Sequence, residues 1–442
     1  MPNSKFNIVI IGAGILGVSI AFWLSELYDT SIAVIEKENT IAKHTSTRNT
    51  GVIHRPFYLN PKKKKVFAFS AQKSYFLWQK FASKYGLPWK QHGTIEVAID
   101  DSSLPSVDQY RGYAIENGLM EGKDFEILDS AGVKRLEPQV DCAGAIYSKT
   151  DTSVGYGEFS KTVFELANKN GVQFAGNTRI ETIKVRKDGG GLELLSSDKK
   201  IVECSLLINA AGGGAIDIAH RLEVAKQYTD LHFRGEYWYV DEPFASKISR
   251  NIYSIAKFKE FPFLDPHFVV RANGKREIGP NAVLVSGPNA YKGISEGGLQ
   301  IFGKMFERPT TPKLKLFTNT KFLSLVWHEW QSSISKKAMC ARVRQFIPNI
   351  DVNMLSERGL AGVRTSLIDK DGSFVPEALL IEGPQSFHIL NYSSPGATGA
   401  PAFSAYVVKK LNDGGYLAGR MRDRNSRPSD SLWDFENTIE GF

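Results

Sequence analysis

Three glycines near the amino terminus have the spacing that a dinucleotide cofactor requires. Gly12, Gly14 and Gly17 follow the apolar run 8–11 and precede a helical pattern that begins at Val18. In such a turn the first glycine permits the tight bend, the second lets the backbone approach a pyrophosphate, and the third lets the helix lie close to the strand. The phosphates then lie at a helix N-terminus, where unpaired N–H groups and the helix dipole favour an anion.

An acidic residue at the end of the second apolar run narrows the choice of dinucleotide. Glu36 closes the run 32–35, at the distance of about 20 residues that the dinucleotide fingerprint requires. Its carboxylate can accept hydrogen bonds from a ribose diol and would repel a 2′-phosphate, which disfavours NADP. A membrane span or signal sequence over 8–27 explains these residues less well, because small residues interrupt the run and no cleavage pattern follows.

Composition and charge are those of a globular protein. Of the 442 residues, 42% are apolar and 23% are charged, and a usual domain size of about 150 residues gives two or three domains. Three cysteines without a CxxC pair predict a reducing, cytoplasmic compartment,. The net charge of +8 suits an anionic substrate, a membrane surface or nucleic acid, but it is also common among enzymes,. Since the sequence has no zinc-ligand spacing and no nucleic-acid motif, we expect neither a metal site nor a nucleic-acid partner.

The order of the elements predicts an α/β fold with a second, α+β domain. The run 206–210 is typical of a buried parallel strand, and the small residues that end it, Ala210 to Gly212, would let a cofactor approach the backbone,. Aromatic-rich runs after residue 232 indicate strands of another sheet, followed by one long helix over 321–346. We predict a Rossmann-like cofactor-binding domain from 1–90, 145–230 and 356–442, and an antiparallel-sheet substrate-binding domain from 91–144 and 231–355.

Six motifs that follow one another along nearly the whole chain resemble one family. They are the glycine fingerprint, Asn49-x-Gly51-x-x-His54, Phe233-Arg234-Gly235-Glu236-Tyr237, Ile278-Gly279-Pro280-Asn281-Ala282, Gly362-Val363-Arg364 and Ser394-Pro395-Gly396-Ala397-Thr398. This series is similar to the FAD-dependent oxidoreductases of the D-amino-acid oxidase and glycerol-3-phosphate dehydrogenase superfamily. Within that superfamily it most resembles the L-2-hydroxyglutarate dehydrogenases and oxidases.

Two departures from the hydroxyglutarate group bear on the substrate. That group typically has an Ala-Gly pair after the histidine, where this chain has Arg55 and Pro56. Arg48 directly before Asn49 looks more like the loop of anaerobic-type glycerol-3-phosphate dehydrogenases. The motif at 394–398 is similar to the hydroxyglutarate group, and the lysine-containing signature of the glycerol-3-phosphate enzymes is missing there.

The resemblance implies noncovalently bound FAD as the cofactor. Residues 46–49 would contact the pyrophosphate or the ring edge, and the helix that starts at 396–398 would stabilise negative charge on the reduced flavin. The predicted FAD contacts are Gly12, Gly14, Ile15, Gly17, Glu36, Lys37, Ser46, Thr47, Arg48, Asn49, Ile183, Ala210, Ala211, Gly212, Gly362, Arg364, Pro395, Gly396, Ala397 and Thr398.

His54 is the first candidate for the general base that takes the proton of a substrate hydroxyl. An unperturbed imidazole titrates at about pH 6.5 and so can accept a proton at neutral pH. Glu236 and His267, on strands of the predicted substrate domain, are the alternatives. Arg55 and Arg364 are the planar, permanently charged groups expected to bind an anionic substrate.

These residues predict a FAD dehydrogenase that oxidises the C–OH group of a small anionic metabolite. The residues favour sn-glycerol 3-phosphate and L-2-hydroxyglutarate about equally. An amine or amino-acid oxidase that releases hydrogen peroxide, and a noncatalytic flavin subunit of an electron-transfer complex, are the alternative hypotheses.

The electron acceptor follows from what the sequence lacks. No second glycine fingerprint follows a strand, so we expect a quinone or an electron-carrier protein rather than a nicotinamide as the acceptor. The stretch 323–330 would then either pack on its own domain, the favoured interpretation, or contact the inner face of the cell membrane. A homodimer is compatible with the sequence.

Overall fold

The computed structural model describes residues 4–257, 261, 265–292, 303–304, 306–417, 421–422 and 432–442. The strands in this part of the chain are β1 Ser4–Ile11, β2 Ile32–Ile35, β3 Val52–Ile53, β4 Thr94–Ala98, β5 Phe125–Asp129, β6 Gly144–Ser148, β7 Thr152–Ser153, β8 Gln173–Ala175, β9 Ile180–Val185, β10 Leu192–Ser196, β11 Ile201–Asn209, β12 Thr229–Gly235, β13 Trp238–Val240, β14 Asn251–Ser254, β15 His267–Val270, β16 Arg276–Gly279, β17 Val283–Val285, β18 Leu355–Arg358, β19 Gly362–Ile368, β20 Leu379–Gly383 and β21 Ser386–Leu390. The α-helices are α1 Ile15–Leu27, α2 Lys65–Tyr85, α3 Leu104–Glu116, α4 Ser130–Leu136, α5 Tyr156–Lys169, α6 Ala215–Arg221, α7 Thr311–Phe317, α8 Thr320–Ile334, α9 Lys336–Val343, α10 Gly396–Asp413 and α11 Phe435–Ile439.

The first sheet has a parallel core in the strand order β21-β11-β1-β2-β8. Its central strands are apolar on both faces, with Ile8, Ile10 and Val34 fully buried, as expected for a parallel sheet that is covered on both sides,. The edge strand β20 and the pair β9 and β10 join it in antiparallel fashion. The α/β fold predicted from the sequence is confirmed.

A second sheet, in the order β18-β13-β16-β15-β14-β4-β6-β5, is antiparallel except where β14 pairs with β4. β6 lies in this sheet, although the predicted boundary placed 145–148 with the cofactor domain, because β6 pairs along its whole length with β4 and β5. The division of the chain into two domains stays a prediction.

Two smaller sheets, of three strands and of two strands, accompany the two large sheets. β12 pairs with β17 and β19, and this register places Phe233 opposite Arg364. β3 pairs with β7, with Val52 opposite Ser153 and Ile53 opposite Thr152. This short ladder brings the residues after position 53 next to those before position 152.

The predicted helix over 321–346 is broken into α8 and α9. Ser335 has extended backbone angles, and its side chain accepts a hydrogen bond from Ala338 N and so caps α9,. None of the helices in the described ranges is long and apolar enough to cross a membrane.

Candidate functional site

A cavity of about 270 Å³ lies where the parallel sheet meets β12, β15 and β19. Most of the predicted site residues line it: Gly14, Ile15, Ser46, Arg48, Asn49, His54, Ala210, Gly212, His267, Gly362, Arg364, Pro395, Gly396, Ala397 and Thr398. The tyrosines Tyr156, Tyr237 and Tyr253 complete part of its wall.

The glycine turn leaves no room for a side chain at Gly12 or Gly17. A Cβ atom on Gly12, which has φ +106°, would lie 2.5 Å from the carbonyl oxygen of Ala210, and one on Gly17 would lie 1.9 Å from that of Gly12. Gly14 is the N-cap of α1, and the next amide, Ile15 N, donates to Ser46 Oγ at 2.9 Å. The turn therefore presents a helix N-terminus to the cavity, as the sequence predicts.

Glu36 and Lys37 follow β2, outside the cavity wall. Glu36 accepts hydrogen bonds from Ala13 N at 2.9 Å and from Glu38 N at 3.1 Å, so its carboxylate is fixed beside the glycine turn. Burial lowers the pKa of Lys37. The ribose contact of these two residues stays a prediction.

The loop 44–50 is folded on itself and on the 361–364 segment. Asn49 donates to Thr45 O at 3.0 Å and accepts from Gly51 N at 2.8 Å, while Thr47 donates to Ala42 O at 2.9 Å and does not reach the cavity. The guanidinium of Arg48 lies 4.0 Å from the ring centre of Tyr291. Arg48 therefore has a packing role as well as a place in the cavity wall.

The start of α10 lies against the histidine loop. Thr398 Oγ1 accepts a hydrogen bond from His54 N at 3.2 Å and lies 3.0 Å from the Tyr156 hydroxyl. Trp78 Nε1 donates to Thr398 O at 3.0 Å. These contacts fix the N-terminus of α10 beside His54.

His54 forms a buried pair with an aspartate that the sequence analysis missed. His54 Nδ1 lies 2.7 Å from Asp151 Oδ2, and the Asp151 side chain is fully buried. Because a carboxylate can only accept, Nδ1 carries the proton, and Nε2 is left as the acceptor, 3.4 Å from the Tyr253 hydroxyl,. Asp151 is 97 residues from His54 in the chain and is brought to it by the pairing of β3 with β7.

His267 lines the cavity as a neutral imidazole. Its Nδ1 donates to Asp265 O at 3.1 Å, and its ring stacks on Tyr253 with 3.8 Å between centroids. Burial lowers the pKa of His267 to about 3. Within the described ranges, its buried Nε2 atom has no hydrogen-bond partner.

Arg364 is, with Arg48, a cation of the cavity wall. It is on β19 opposite Phe233, and burial lowers its pKa, against the opposing influence of the Tyr237 and Tyr58 hydroxyls. Burial also raises the pKa of Tyr237 to about 12, so that phenol is neutral. A guanidinium in the cavity wall suits an anionic ligand, because its planar fork matches the oxygens of a carboxylate or a phosphate,.

Arg55 does not enter the cavity, which corrects its predicted role in anion binding. Its backbone is extended (φ −74°, ψ 150°), and in an extended chain successive side chains point to opposite sides, so Arg55 points away from the side that His54 faces,. The guanidinium donates to Thr150 Oγ1 at 2.9 Å and to Gln72 Oε1 at 3.0 Å, and it pairs with Asp124 at 3.3 Å.

Two further predicted residues lie away from the cavity. Glu236, a candidate base, accepts from Arg234 at 2.9 Å and from Asn281 Nδ2 at 3.0 Å, so it is held in a buried ion pair. Ile183, a predicted FAD contact, is opposite Leu194 in the β9–β10 pair, and its side chain belongs to the hydrophobic cluster below that pair.

The predicted membrane-contact stretch forms most of α8. Phe322 and Leu325 are buried, whereas Leu323 and Trp327 are 44% and 62% exposed. The helix therefore packs on its own domain through one face, and membrane contact by the other stays a prediction.

Comparisons with known proteins agree with this arrangement. A family model described as FAD dependent oxidoreductase matches residues 7–410. Mitochondrial L-2-hydroxyglutarate dehydrogenase of Caenorhabditis elegans is 28% identical over 416 residues, which cover 92% of this chain and 93% of the relative. L-2-hydroxyglutarate dehydrogenase of Escherichia coli strain K12 is 26% identical over 411 residues, 92% and 93% of the two chains.

Solved structures share the fold at lower identity. Dithionite-reduced L-α-glycerophosphate oxidase from Mycoplasma pneumoniae with FAD bound has a TM-score of 0.73 at 19% identity, covering 96% of this chain and 97% of that one. Glycine oxidase from Geobacillus kaustophilus has a TM-score of 0.67 at 15% identity, covering 93% and 95%.

Proposed function

This chain belongs to the family of FAD-dependent oxidoreductases, and from that premise we propose that it is a dehydrogenase whose substrate is L-2-hydroxyglutarate. The family match confirms the predicted resemblance and FAD as the cofactor, and with the relatives it confirms an oxidoreductase that acts on a CH–OH donor. The observation that carries the proposal is that the cavity wall contains His54, which is paired with the buried Asp151, together with the cation Arg364.

The residues around the cavity fit FAD. A Cβ atom at Gly12 or Gly17 would collide with a backbone carbonyl, so glycine at both positions permits the tight turn that leads into α1, and α1 and α10 both begin at the cavity,. We assign the pyrophosphate to Gly14, Ile15 and Ser46. Bound FAD supplies the acceptor for the hydride that leaves the substrate carbon.

His54 takes the hydroxyl proton. Its Nε2 atom is the acceptor of a ring whose Nδ1 proton is held by Asp151, so the O–H bond of the substrate breaks as an N–H bond forms at Nε2,. The resulting imidazolium is stabilised by the adjacent carboxylate. His267 does not compete for this proton, because burial lowers its pKa to about 3.

Arg364 binds a carboxylate of the substrate. Its planar fork matches the two oxygens of a carboxylate. Arg55 is engaged by Asp124, Gln72 and Thr150, so one of the two arginines by which the sequence departs from the hydroxyglutarate group gives no support to a phosphate ester. The relatives named L-2-hydroxyglutarate dehydrogenase then favour the hydroxy acid. sn-Glycerol 3-phosphate is the second candidate, because Arg48 also lines the cavity.

Anaerobic flavin reduction tests the proposal. The purified holoenzyme is mixed with L-2-hydroxyglutarate, its D-enantiomer, sn-glycerol 3-phosphate or an amino acid, and bleaching of the flavin absorbance is followed. Of these four compounds, we expect only L-2-hydroxyglutarate to bleach the flavin rapidly. Bleaching only by an amino acid would indicate an amine or amino-acid oxidase, and a flavin that no compound reduces until a partner protein is added would indicate a noncatalytic subunit.

The electron acceptor is proposed by class. We assign a quinone or an electron-carrier protein, since the sequence has no second dinucleotide fingerprint for a nicotinamide,. Re-oxidation of the reduced holoenzyme by a soluble quinone analogue, compared with molecular oxygen, tests this assignment. Faster re-oxidation by oxygen than by the quinone would refute it.

A further inference from the structure

The Asp151 carboxylate is held by donors on both oxygens. Oδ2 faces His54 Nδ1 at 2.7 Å, while Oδ1 accepts from Ser148 Oγ at 2.6 Å and from Arg55 N at 2.9 Å. The carbonyl of Asp151 also accepts from Gly93 N at 2.9 Å. The side chain therefore has one orientation, with one oxygen left for the histidine ring.

Arg55 supports the same arrangement from the other side. Its amide contacts Asp151, and its guanidinium contacts the neighbouring Thr150 as well as Gln72 on α2. Through these hydrogen bonds the buried Arg55 links the segment 150–151 to helix α2. The residue that follows His54 in this chain thus belongs to the support of the pair rather than to the binding of substrate.

We propose that Asp151 is the positioning residue for His54, which keeps the proton of the neutral ring on Nδ1 and the lone pair of Nε2 directed to the substrate hydroxyl. This inference rests on the proposed function for the identity of the base. A neutral imidazole can carry its proton on either nitrogen, and only the Nδ1–H form has an acceptor at Nε2. An acceptor opposite Nδ1 fixes this form.

The first test replaces Asp151 by asparagine in the FAD holoenzyme. We expect the limiting rate of anaerobic flavin reduction by L-2-hydroxyglutarate to fall by about 10²- to 10⁴-fold, with little change in the substrate concentration that gives half the maximal rate. The matched control is Glu137→Gln, which also removes a buried carboxylate, one that pairs with Arg250 and Ser249 rather than with His54, Asp151 or Arg55. Equal losses in the two variants, or an unchanged rate in Asp151→Asn, would overturn the proposal.

The second test reads the tautomer directly and does not depend on turnover. Nitrogen-15 NMR of histidine-labelled wild-type holoenzyme, with the His54 signals assigned by their absence in His54→Gln, should show a protonated Nδ1 and an unprotonated Nε2. A proton on Nε2 would overturn the proposal even if Asp151→Asn does not fold. If L-2-hydroxyglutarate does not reduce the wild-type flavin, the proposed function fails, while the NMR result still decides the role of Asp151.

Discussion

Replacing Arg364 by glutamine should weaken the recognition of an anionic substrate by a predictable amount. Arg364 lies in the cavity wall, where burial lowers its pKa and the hydroxyls of Tyr237 and Tyr58 oppose that lowering. In the proposed complex its guanidinium pairs with a carboxylate of the substrate. Hydrogen bonds to a charged group contribute about 1.5–3 kcal/mol each, and truncating one partner of a buried charged pair costs about 2–5 kcal/mol. A loss of about 2–4 kcal/mol corresponds to a decrease of about 30- to 1000-fold in kcat/KM.

The assay compares two substrates in the wild-type protein and in two variants. L-2-Hydroxyglutarate and a neutral amide analogue are oxidised with an artificial dye as acceptor, and FAD content is measured in each preparation. We expect Arg364→Gln to lose activity toward the acid but little toward the amide, and Arg364→Lys, which keeps the charge without the fork, to be intermediate. A loss of equal size for acid and amide, or a parallel loss of FAD, would refute the assignment of Arg364 to the substrate carboxylate.

Three further predictions concern the cofactor, the fold and pH. Gly17→Ala should abolish the retention of FAD during gel filtration, because the added Cβ atom would lie 1.9 Å from the Gly12 carbonyl oxygen. The control Gly112→Ala, whose Cβ atom would meet no atom within 4 Å, should retain FAD. Equal retention in the two variants would show that the turn tolerates a side chain at position 17. Arg55→Met should lower the free energy of unfolding, measured in urea, by about 3 kcal/mol, because it leaves the buried carboxylate of Asp124 without its ion-pair partner,. A large rise in KM without a loss of stability would instead indicate that Arg55 binds the substrate. Burial lowers the pKa of His267 from its ordinary 6.5 to about 3, so the folded protein binds fewer protons than the unfolded chain between these values and loses stability as the pH falls. His267→Asn should therefore show a smaller loss of urea stability than the wild type between neutral pH and about pH 5, and an unchanged loss would place His267 in a more polar environment.

The glycine turn could be predicted from the sequence because its geometry is local. The contact between a Cβ atom on Gly17 and the carbonyl of Gly12 depends on the six backbone residues 12–17 and on nothing distant in the chain. The apolar part of β11, Leu206 to Ile208, is also a local signal, since strands that are buried on both faces are continuously apolar,. The helix break at Ser335 was missed, because the apolar spacing continues through it and the cap is made by a single side chain.

The histidine–aspartate pair could not be predicted, because its two members are joined only by tertiary structure. Asp151 lies in a polar run that reads as a turn, and the sequence contains no signal that β7 pairs with β3. Glu236 and His267 were reasonable alternatives on residue type alone. The structure distinguishes them through their surroundings, since Glu236 is held by Arg234 and burial lowers the pKa of His267 to about 3.

His54 and His267, the two histidines of the cavity wall, differ in the kind of oxygen that accepts the Nδ1 proton. This difference determines which of the two rings can take up a second proton. Both rings direct Nδ1–H to an oxygen and leave Nε2 as an acceptor, but the partner of His54 is a carboxylate and that of His267 is the carbonyl of Asp265. A carboxylate can stabilise the positive ring that forms when a proton arrives at Nε2, whereas a carbonyl offers only a dipole to a buried ring. His54 is therefore suited to take a proton and release it in each cycle, and His267 is suited to remain neutral and accept a hydrogen bond. Exchange of these roles would require a second buried carboxylate beside His267, where the chain provides the backbone carbonyl of Asp265 instead.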